Sequence, residues 1–207
     1  MPGTNIRMGE FMKKSNFFAF ISRMKYIDRW GLMRNINKEN VSEHSLDVAV
    51  IAHALAVIQK NRLNMDVNPE KTALYAIYHD VSEIFTGDMP TPVKYYNSVI
   101  KSAYKGVELS VNERLLNMLP EDFKDEFKDI LIPKEEDKDI WKTVKAADKI
   151  SAYIKCLEEE KSGNKEFLKA KQSLLSTIRN MNMPEVKIFM DEFLEGYSLT
   201  LDEMEMS

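Results

Sequence analysis

Apolar residues recur along this chain at intervals of three and four, the spacing of an amphipathic helix. The segment ENVSEHSLDVAVIAHALAVIQKN shows this most clearly. Asn40, followed three residues later by Glu43, resembles a capping box and predicts where this helix begins. Convincing apolar–polar alternation, the pattern of a half-buried strand, does not occur. The core-facing stripe of this helix comprises His44, Val48, Ile51, Leu55 and Ile58.

Prolines and glycines divide the rest of the chain into further helices. Asn68-Pro69 opens one, since proline suits the first helical position, and we expect it to run through LYAIYHDVSEIF to Gly87. Pro120 separates two shorter helical segments, and Gly163 follows a long one, DIWKTVKAADKISAYIKCLEEEKSG. The chain is therefore predicted to be a single all-α domain of roughly eight to ten helices.

We expect residues 12–207 to form this domain, because they contain no internal repeat and no linker long enough to divide two domains. Residues 1–11, MPGTNIRMGEF, lack periodicity. They are predicted to be an N-terminal extension that is either disordered or added to the native chain.

Composition and charge narrow the class of protein. Apolar residues make up 44% of the chain and charged residues 30%, as in a globular protein. The net charge of −4 argues against binding to a nucleic-acid polymer, which requires a basic surface. No segment reaches the ~18 apolar residues of a membrane span. The only cysteine, Cys156, cannot form an internal disulfide, so we expect a cytoplasmic protein.

Histidines and carboxylates beside apolar helical faces are the candidates for chemistry. His44 lies on the core-facing stripe of its helix, and the doublet His79-Asp80 lies in the predicted helix that follows Pro69. Asp148 borders the apolar stripe of the long helix. His53 follows His44 by nine residues and is thus about 180° around the helix. We interpret it as a packed or hydrogen-bonded histidine outside any shared site.

Each of these residues taken alone has an ordinary explanation, such as a core histidine or a surface salt bridge. Taken jointly, two histidines and two aspartates on inner helical faces would compensate one another by binding a cation. An unpaired carboxylate in a core costs several kcal/mol, and a set of two nitrogen and two oxygen donors suits a divalent transition metal. We therefore predict a metal site formed by His44, His79, Asp80 and Asp148.

The order of these residues, a histidine, a His-Asp doublet and a distant aspartate, resembles the metal signature of HD-domain phosphohydrolases. The surrounding segments are similar to the bacterial 5′-deoxynucleotidases of that superfamily. These segments are SRMKYIDRWGLMRNINKENVSEHSL, YHDVSEIFTGDMPTPVKYYNS and KAADKISAYIKCLEE. The similarity extends from about Met12 to about Glu203, nearly the whole chain.

The resemblance implies an all-α homodimer in which each subunit holds one divalent transition metal ion, such as Co2+, Mn2+ or Zn2+. It implies hydrolysis of deoxyribonucleoside 5′-monophosphates, with low base specificity and a preference over ribonucleotides. At matching positions, Arg29 would orient the phosphate, Trp30 would lie close to the sugar, and Glu83 would be an essential polar group beside the metal.

The leaving 5′-oxygen needs a proton, which Glu83 or Asp88 could supply, and the sequence does not choose between them. Arg29 would counter the acidic charge of the protein, because its fork of donors suits a phosphate. The substrate-contacting residues implied by the resemblance are Arg29, Trp30, His44, Asp80, Asp88, Met89, Pro90 and Thr91.

Two alternative functions remain open. One is another HD-domain nucleotide phosphohydrolase that acts on a triphosphate or a cyclic nucleotide, although the chain lacks the further histidines of two-metal variants. The other is a nucleotide-binding regulator without turnover, which the presence of all four metal ligands and of Glu83 disfavours.

Overall fold

The computed structural model describes residues 14–94 and 96–205, so the predicted extension at 1–11 lies outside the described residues. Four short 3-10 helices occur in the described chain, at Ser22–Tyr26, Glu135–Asp137, Lys165–Phe167 and Glu195–Ser198. The eleven α-helices of the described chain are α1 (Phe17–Ile21), α2 (Val41–Arg62), α3 (Pro69–Ile77), α4 (Glu83–Thr86), α5 (Thr91–Lys94), α6 (Ser98–Asn117), α7 (Glu121–Leu131), α8 (Lys138–Lys161), α9 (Leu168–Asn180), α10 (Pro184–Glu192) and α11 (Leu201–Glu205).

The all-α prediction is confirmed. The described residues contain no strand, and an isolated antiparallel bridge joins Asp28 to Asn40. The number of helices exceeds the expected range because α4, α5 and α11 have only four or five residues each. A segment this short does not reveal a helical period in sequence.

The helix predicted to run from Pro69 to Gly87 is in fact two helices, which corrects the sequence analysis. Helix α3 ends at Ile77 and α4 begins at Glu83, with a turn of residues 78–82 between them. Hydrogen bonds from residue i to residue i−3 replace the i to i−4 bonds of an α-helix in this turn. The predicted histidine–aspartate doublet therefore lies in a turn, although Gly87 does end α4, with φ of 69°.

Helices α2 and α8 form the centre of the main core, and α3 packs against both. Val48 and Leu55 of α2 and Ile150 of α8 are fully buried there. The core-facing stripe predicted for α2 is thus confirmed. His53 is exposed on the other side of α2, so its interpretation as a packed histidine is wrong, because that side of the helix faces solvent.

Helix α2 is long and apolar enough to cross a membrane by length and composition alone. However, 56% of its most apolar window is buried inside the fold. A helix that lies in the core of a fold is apolar because it is buried, so the length and composition of α2 are weak evidence for a membrane span.

Candidate metal centre and substrate pocket

His44 enters the core in the first turn of α2. The Asn40 side chain accepts from the Glu43 N–H at 3.0 Å, and Glu43 Oε2 accepts from the Asn40 N–H at 3.1 Å, so the predicted capping box is confirmed. This box sets the start of the helix, and the His44 side chain that follows is fully buried. His44 Nδ1 lies 3.2 Å from Ser151 Oγ on α8, a contact that orients the imidazole ring.

The turn between α3 and α4 presents His79 and Asp80 together. His79 Nδ1 lies 2.7 Å from the carbonyl oxygen of Ala76, and because a carbonyl can only accept, Nδ1 carries the proton. In a continuous α-helix that carbonyl would accept the Asp80 N–H instead. The His79 side chain thus competes with the helix for a backbone acceptor. Its Nε2 lies 3.0 Å from Asp80 Oδ2.

The four predicted metal ligands converge in the structure. One atom from each of His44, His79 and Asp80 lies within 4.8 Å of the other two, close enough for a single cation to contact all three. Asp148 on α8 extends this group, because its Oδ1 lies 3.2 Å from His44 Nε2. Its Oδ2 accepts from Lys149 Nζ at 2.9 Å.

The Nε2 atoms of His44 and His79 are buried and form no hydrogen bond. Each lies near a carboxylate oxygen, at 3.2 Å for His44 and 3.0 Å for His79, without a hydrogen bond to it. A buried polar atom without a partner costs free energy, so this pair of nitrogens requires an explanation. A divalent cation among them would satisfy both nitrogens and the adjacent carboxylates, so the donor set fits a transition metal.

The charge states of three of the four groups agree with metal binding, whereas His79 has a raised pKa, so a proton would compete with the metal for its imidazole. Burial lowers the pKa of His44, so its imidazole is neutral near pH 7, the form that coordinates metals. Burial opposes ionisation of Asp80 and Asp148, yet His79 lowers the pKa of the first and Lys149 lowers the pKa of the second. Burial also disfavours protonation of His79, but the adjacent Asp80 raises the pKa of His79.

Glu83 is the first residue of α4, and its side chain points into the protein. The residue is 5% exposed, and its Oε2 is buried without a hydrogen-bond partner. Burial, reinforced by the charges of Asp80 and Asp88, raises the pKa of Glu83 to about 10. A carboxyl group with this pKa keeps its proton at neutral pH. Glu83 therefore has the protonated form that a proton donor requires.

Arg29 is largely buried, with 10% of its side chain exposed. Its Nη1 donates to Glu39 Oε2 at 2.9 Å, while its Nε is buried without a hydrogen-bond partner. Burial disfavours the charged form, but the carboxylates of Glu39, Asp148 and Asp80 outweigh it and raise the pKa of Arg29. The guanidinium is therefore a charged group whose carboxylate neighbours include the predicted metal ligands Asp80 and Asp148, and its Nε–H is available to an anion.

The indole ring and the backbone N–H of Trp30 are held by contacts with Glu39, Asp88 and Phe167. Its indole Nε1 donates to Glu39 Oε2 at 3.0 Å, and its backbone N–H donates to Asp88 Oδ2 at 3.1 Å. Its ring packs edge-on against Phe167, with 5.2 Å between the ring centroids. The φ of Trp30 is 59°, in the left-handed region that a bulky residue rarely adopts. Such a conformation persists only where its surroundings hold it.

The remaining predicted substrate residues follow Asp88 along the chain. Met89 and Pro90 are half-buried, and Thr91 is exposed at the start of α5. The chain is helical from Thr91, where the carbonyl of Pro90 accepts the backbone N–H groups of Val93 and Lys94. Contact of this segment with a nucleotide stays a prediction.

Glu39 and Ser151 also belong to the site, although neither is among the residues predicted from the sequence. Glu39 contacts residues nine and ten positions earlier, across a loop without periodicity, so no local pattern indicated it. Ser151 lies three residues after Asp148 on the same helix. That spacing places both on one face of α8, and it was a signal from which Ser151 could have been found.

The fold is that of a known class of proteins. An HD-domain phosphohydrolase from Listeria innocua matches with a TM-score of 0.74 and 25% identity, covering 92% of this chain and 92% of that one. DatZ, an HD phosphohydrolase of cyanophage S-2L solved with dA and one catalytic Zn2+ ion, matches with a TM-score of 0.63 and 16% identity. That match covers 86% of this chain and 96% of DatZ. The fold and the His-Asp cluster define an HD-domain phosphohydrolase.

Sequence comparison narrows the class further. Residues 16–197 match the family described as 5′-deoxynucleotidase YfbR-like. A 5′-deoxynucleotidase of Vibrio cholerae is 50% identical over 193 residues, which cover 93% of this chain and 100% of that protein. The chain belongs to the YfbR-like 5′-deoxynucleotidase family. This confirms the resemblance inferred from sequence and the predicted class of enzyme, a hydrolase of phosphate monoesters.

Proposed function

We propose that this protein hydrolyses deoxyribonucleoside 5′-monophosphates to deoxynucleosides and phosphate, with one divalent metal ion per subunit. Low base specificity and a preference over ribonucleotides are part of the proposal. The observation that carries it is that two buried histidine nitrogens without partners are joined through Glu39 to a largely buried arginine, because Glu39 lies 2.9 Å from Arg29 Nη1 and 3.7 Å from His44 Nδ1. The nitrogens suit a metal cation and the arginine suits a phosphate. One phosphate monoester would therefore contact both the metal ion and the guanidinium.

His44, His79, Asp80 and Asp148 would hold the ion through two Nε2 atoms and carboxylate oxygens. When bound, such an ion polarises a phosphoryl oxygen and lowers the pKa of a bound water from 15.7 to about 7. Imidazole and carboxylate ligands can coordinate Co2+, Mn2+ or Zn2+, so we propose a divalent transition metal without selecting one.

The protein's own side chains would position the phosphate and protonate the leaving group. Arg29 Nε would donate to a phosphate oxygen while Nη1 stays bonded to Glu39. Glu83 would give its proton to the 5′-oxygen as the bond from that oxygen to phosphorus breaks and a water oxygen bonds to phosphorus. Its burial and its unpartnered Oε2 support this role.

Trp30 and the segment from Asp88 to Thr91 would contact the nucleoside. The bond from the Trp30 N–H to Asp88 Oδ2 supports a common surface for the sugar. We propose that Trp30 leaves a ribose 2′-hydroxyl without space or a hydrogen-bond partner. A hydroxyl buried in that way costs roughly 1–3 kcal/mol, which corresponds to a preference for dAMP over AMP of about 5- to 150-fold.

We further propose a cytoplasmic homodimer that binds neither a membrane nor a nucleic-acid polymer. The family resemblance supports the dimer, and the single cysteine, Cys156, supports a reducing compartment. The net charge of −4 supports the absence of a nucleic-acid partner.

Chromatographic identification of the products formed from dAMP, AMP, dADP, dATP and cyclic AMP tests the proposal, after chelation and then with Co2+, Mn2+ or Zn2+ added back. We expect metal-dependent release of inorganic phosphate from dAMP, with slower release from AMP and similar rates for the other deoxynucleoside monophosphates. Hydrolysis mainly of dATP, with loss of pyrophosphate or triphosphate, or of cyclic AMP, with opening of the cyclic phosphate to AMP, would favour another HD-domain phosphohydrolase. Nucleotide binding without release would favour a regulator.

A further inference from the structure

The carboxylate of Glu39 contacts both Arg29 and Trp30 through one oxygen. Glu39 Oε2 accepts from Arg29 Nη1 at 2.9 Å and from Trp30 Nε1 at 3.0 Å. Glu39 is 9% exposed, so both hydrogen bonds are largely shielded from water. A guanidinium and an indole that share an acceptor cannot be reoriented independently while both bonds persist. The side chains proposed to meet the phosphate and the sugar are therefore linked through a single atom.

The main chain sets the position of Glu39 relative to the metal ligands. The carbonyl of Glu39 accepts the Arg29 N–H at 2.9 Å, and the carbonyl of Ile27 accepts the Val41 N–H at 3.0 Å. These bonds pair residues 27–29 with residues 39–41, where α2, the helix that carries His44, begins. Glu39 Oε1 lies 3.7 Å from His44 Nδ1. Glu39 thus connects the start of the metal-binding helix to the loop that contains Arg29 and Trp30.

We propose that Glu39 is a positioning residue that couples the phosphate ligand Arg29 to Trp30 and thereby sets the preference for deoxyribose over ribose. The inference rests on the proposed function, which supplies the roles of Arg29 and Trp30. The left-handed backbone of Trp30 requires contacts to hold it, and the bond to Glu39 is one of them. Asp88 holds the Trp30 backbone, while Glu39 holds its indole ring.

A purely structural role for Glu39 predicts a different result. If Glu39 only neutralised the charge of Arg29, its loss would slow dAMP and AMP hydrolysis by the same factor. Because Glu39 also bonds the Trp30 indole, its loss should release the ring that faces the sugar. The ratio of kcat/KM for dAMP to kcat/KM for AMP is therefore the quantity that separates the two roles.

The experiment measures kcat/KM for dAMP and AMP in the metal-loaded full-length protein. In Glu39→Ala we expect kcat/KM for dAMP to fall at least ~10-fold and the dAMP/AMP ratio to fall roughly 3- to 10-fold, the range of one hydrogen bond. Glu39→Gln has nearly the same shape and keeps one acceptor oxygen, so it should reduce the ratio less. If Glu39→Ala does not fold, Glu39→Gln alone decides the question.

Glu43→Gln is the matched control. Glu43 lies at the same end of α2, but its carboxylate accepts from the Asn40 N–H, and glutamine can replace it in a capping box. We expect this variant to retain the wild-type ratio. Metal content should equal that of wild type in the control and in both Glu39 variants, so that lost selectivity is not confused with lost metal.

A double-mutant cycle tests whether Glu39 acts through Trp30. Adding Glu39→Ala to Trp30→Ala should leave the dAMP/AMP ratio where Trp30→Ala alone puts it. Independent, multiplicative losses of the ratio would overturn the inference, as would equal loss of activity toward dAMP and AMP in the Glu39 variants. A wild-type protein that treats dAMP and AMP alike would instead overturn the proposed substrate preference, and with it the role of Glu39. The dAMP/AMP ratio of the wild-type protein is therefore measured before that of any variant.

Discussion

Ser151 Oγ on α8 lies 3.2 Å from His44 Nδ1 on α2, and both side chains are buried. The contact leaves His44 Nε2, which forms no hydrogen bond, facing Asp148 Oδ1 at 3.2 Å. Ser151 and Asp148 are three residues apart on α8. One face of that helix therefore supplies both the contact that orients the imidazole and a carboxylate that would share its metal.

We expect Ser151→Ala to weaken metal binding by about 10- to 100-fold, the range seen when a hydrogen-bond partner of a metal-ligating histidine is removed. Competition with a chromogenic chelator measures the affinity. Ser45→Ala is the control, because Ser45 is also buried and its hydroxyl has no hydrogen-bond partner. Wild-type affinity in Ser151→Ala would show that the serine does not orient the ligand.

Asp148→Ala should lose bound metal and phosphatase activity together, since the variant lacks one of the two predicted carboxylate ligands. Metal content per subunit is measured by elemental analysis beside the rate of phosphate release. Asp139→Ala is the control on the same helix, because that aspartate is exposed and pairs with Lys142 at 2.6 Å. Unchanged metal content in Asp148→Ala would rule out this ligand assignment.

Arg29→Ala should lower kcat/KM for dAMP by at least ~10-fold, or about 1.4 kcal/mol of transition-state stabilisation. The reason is that the guanidinium would contact the phosphate in the transition state. Arg34→Ala is the control from the same loop, where a surface arginine lies 3.8 Å from Glu166. Wild-type kinetics in Arg29→Ala would mean that the buried guanidinium serves the fold alone.

Glu159 links the loop after Trp30 to α8 and should make the stability of the fold depend on pH. It is fully buried, and its Oε1 accepts from Lys155 Nζ at 2.6 Å. Its oxygens also accept the backbone N–H groups of Ile36 and Asn37 at 3.0 Å each. Burial alone would raise the pKa of Glu159, but these hydrogen bonds lower it from 4.5 to about 2.

Because the folded-state pKa of Glu159 is depressed, its contribution to stability is present above pH 4.5 and is lost as the pH falls toward 2. The contribution is about 3 kcal/mol at neutral pH. Urea unfolding between pH 7 and pH 2 measures it. Glu159→Gln should be less stable at pH 7 and should lose less further stability on acidification than wild type.

The exposed Glu195 provides the control for this prediction. Glu195→Gln should lose as much stability on acidification as wild type does. If Glu159→Gln had the same acid dependence as wild type, the titration of another group would have to cause it.

Local interactions account for what the sequence determined. The capping box of Asn40 and Glu43 and the inward position of His44 involve residues within one or two helical turns, so their spacing predicts them. Pro69 at the start of α3 acts through its fixed φ, and Gly163 after α8 acts through its freedom to adopt a positive φ. The residue types of the metal ligands and the family resemblance are likewise properties of the sequence itself.

Only the tertiary structure decided how these groups are oriented and charged. His44 was predicted to face the core, but the serine that orients its imidazole, Ser151, is 107 residues further along the chain. Glu39 meets Arg29 and Trp30 across a loop that has no period. The sequence thus determined which groups are available for metal binding and phosphate recognition. Packing decided their geometry and protonation, because burial and hydrogen-bond partners depend on residues that are distant along the chain.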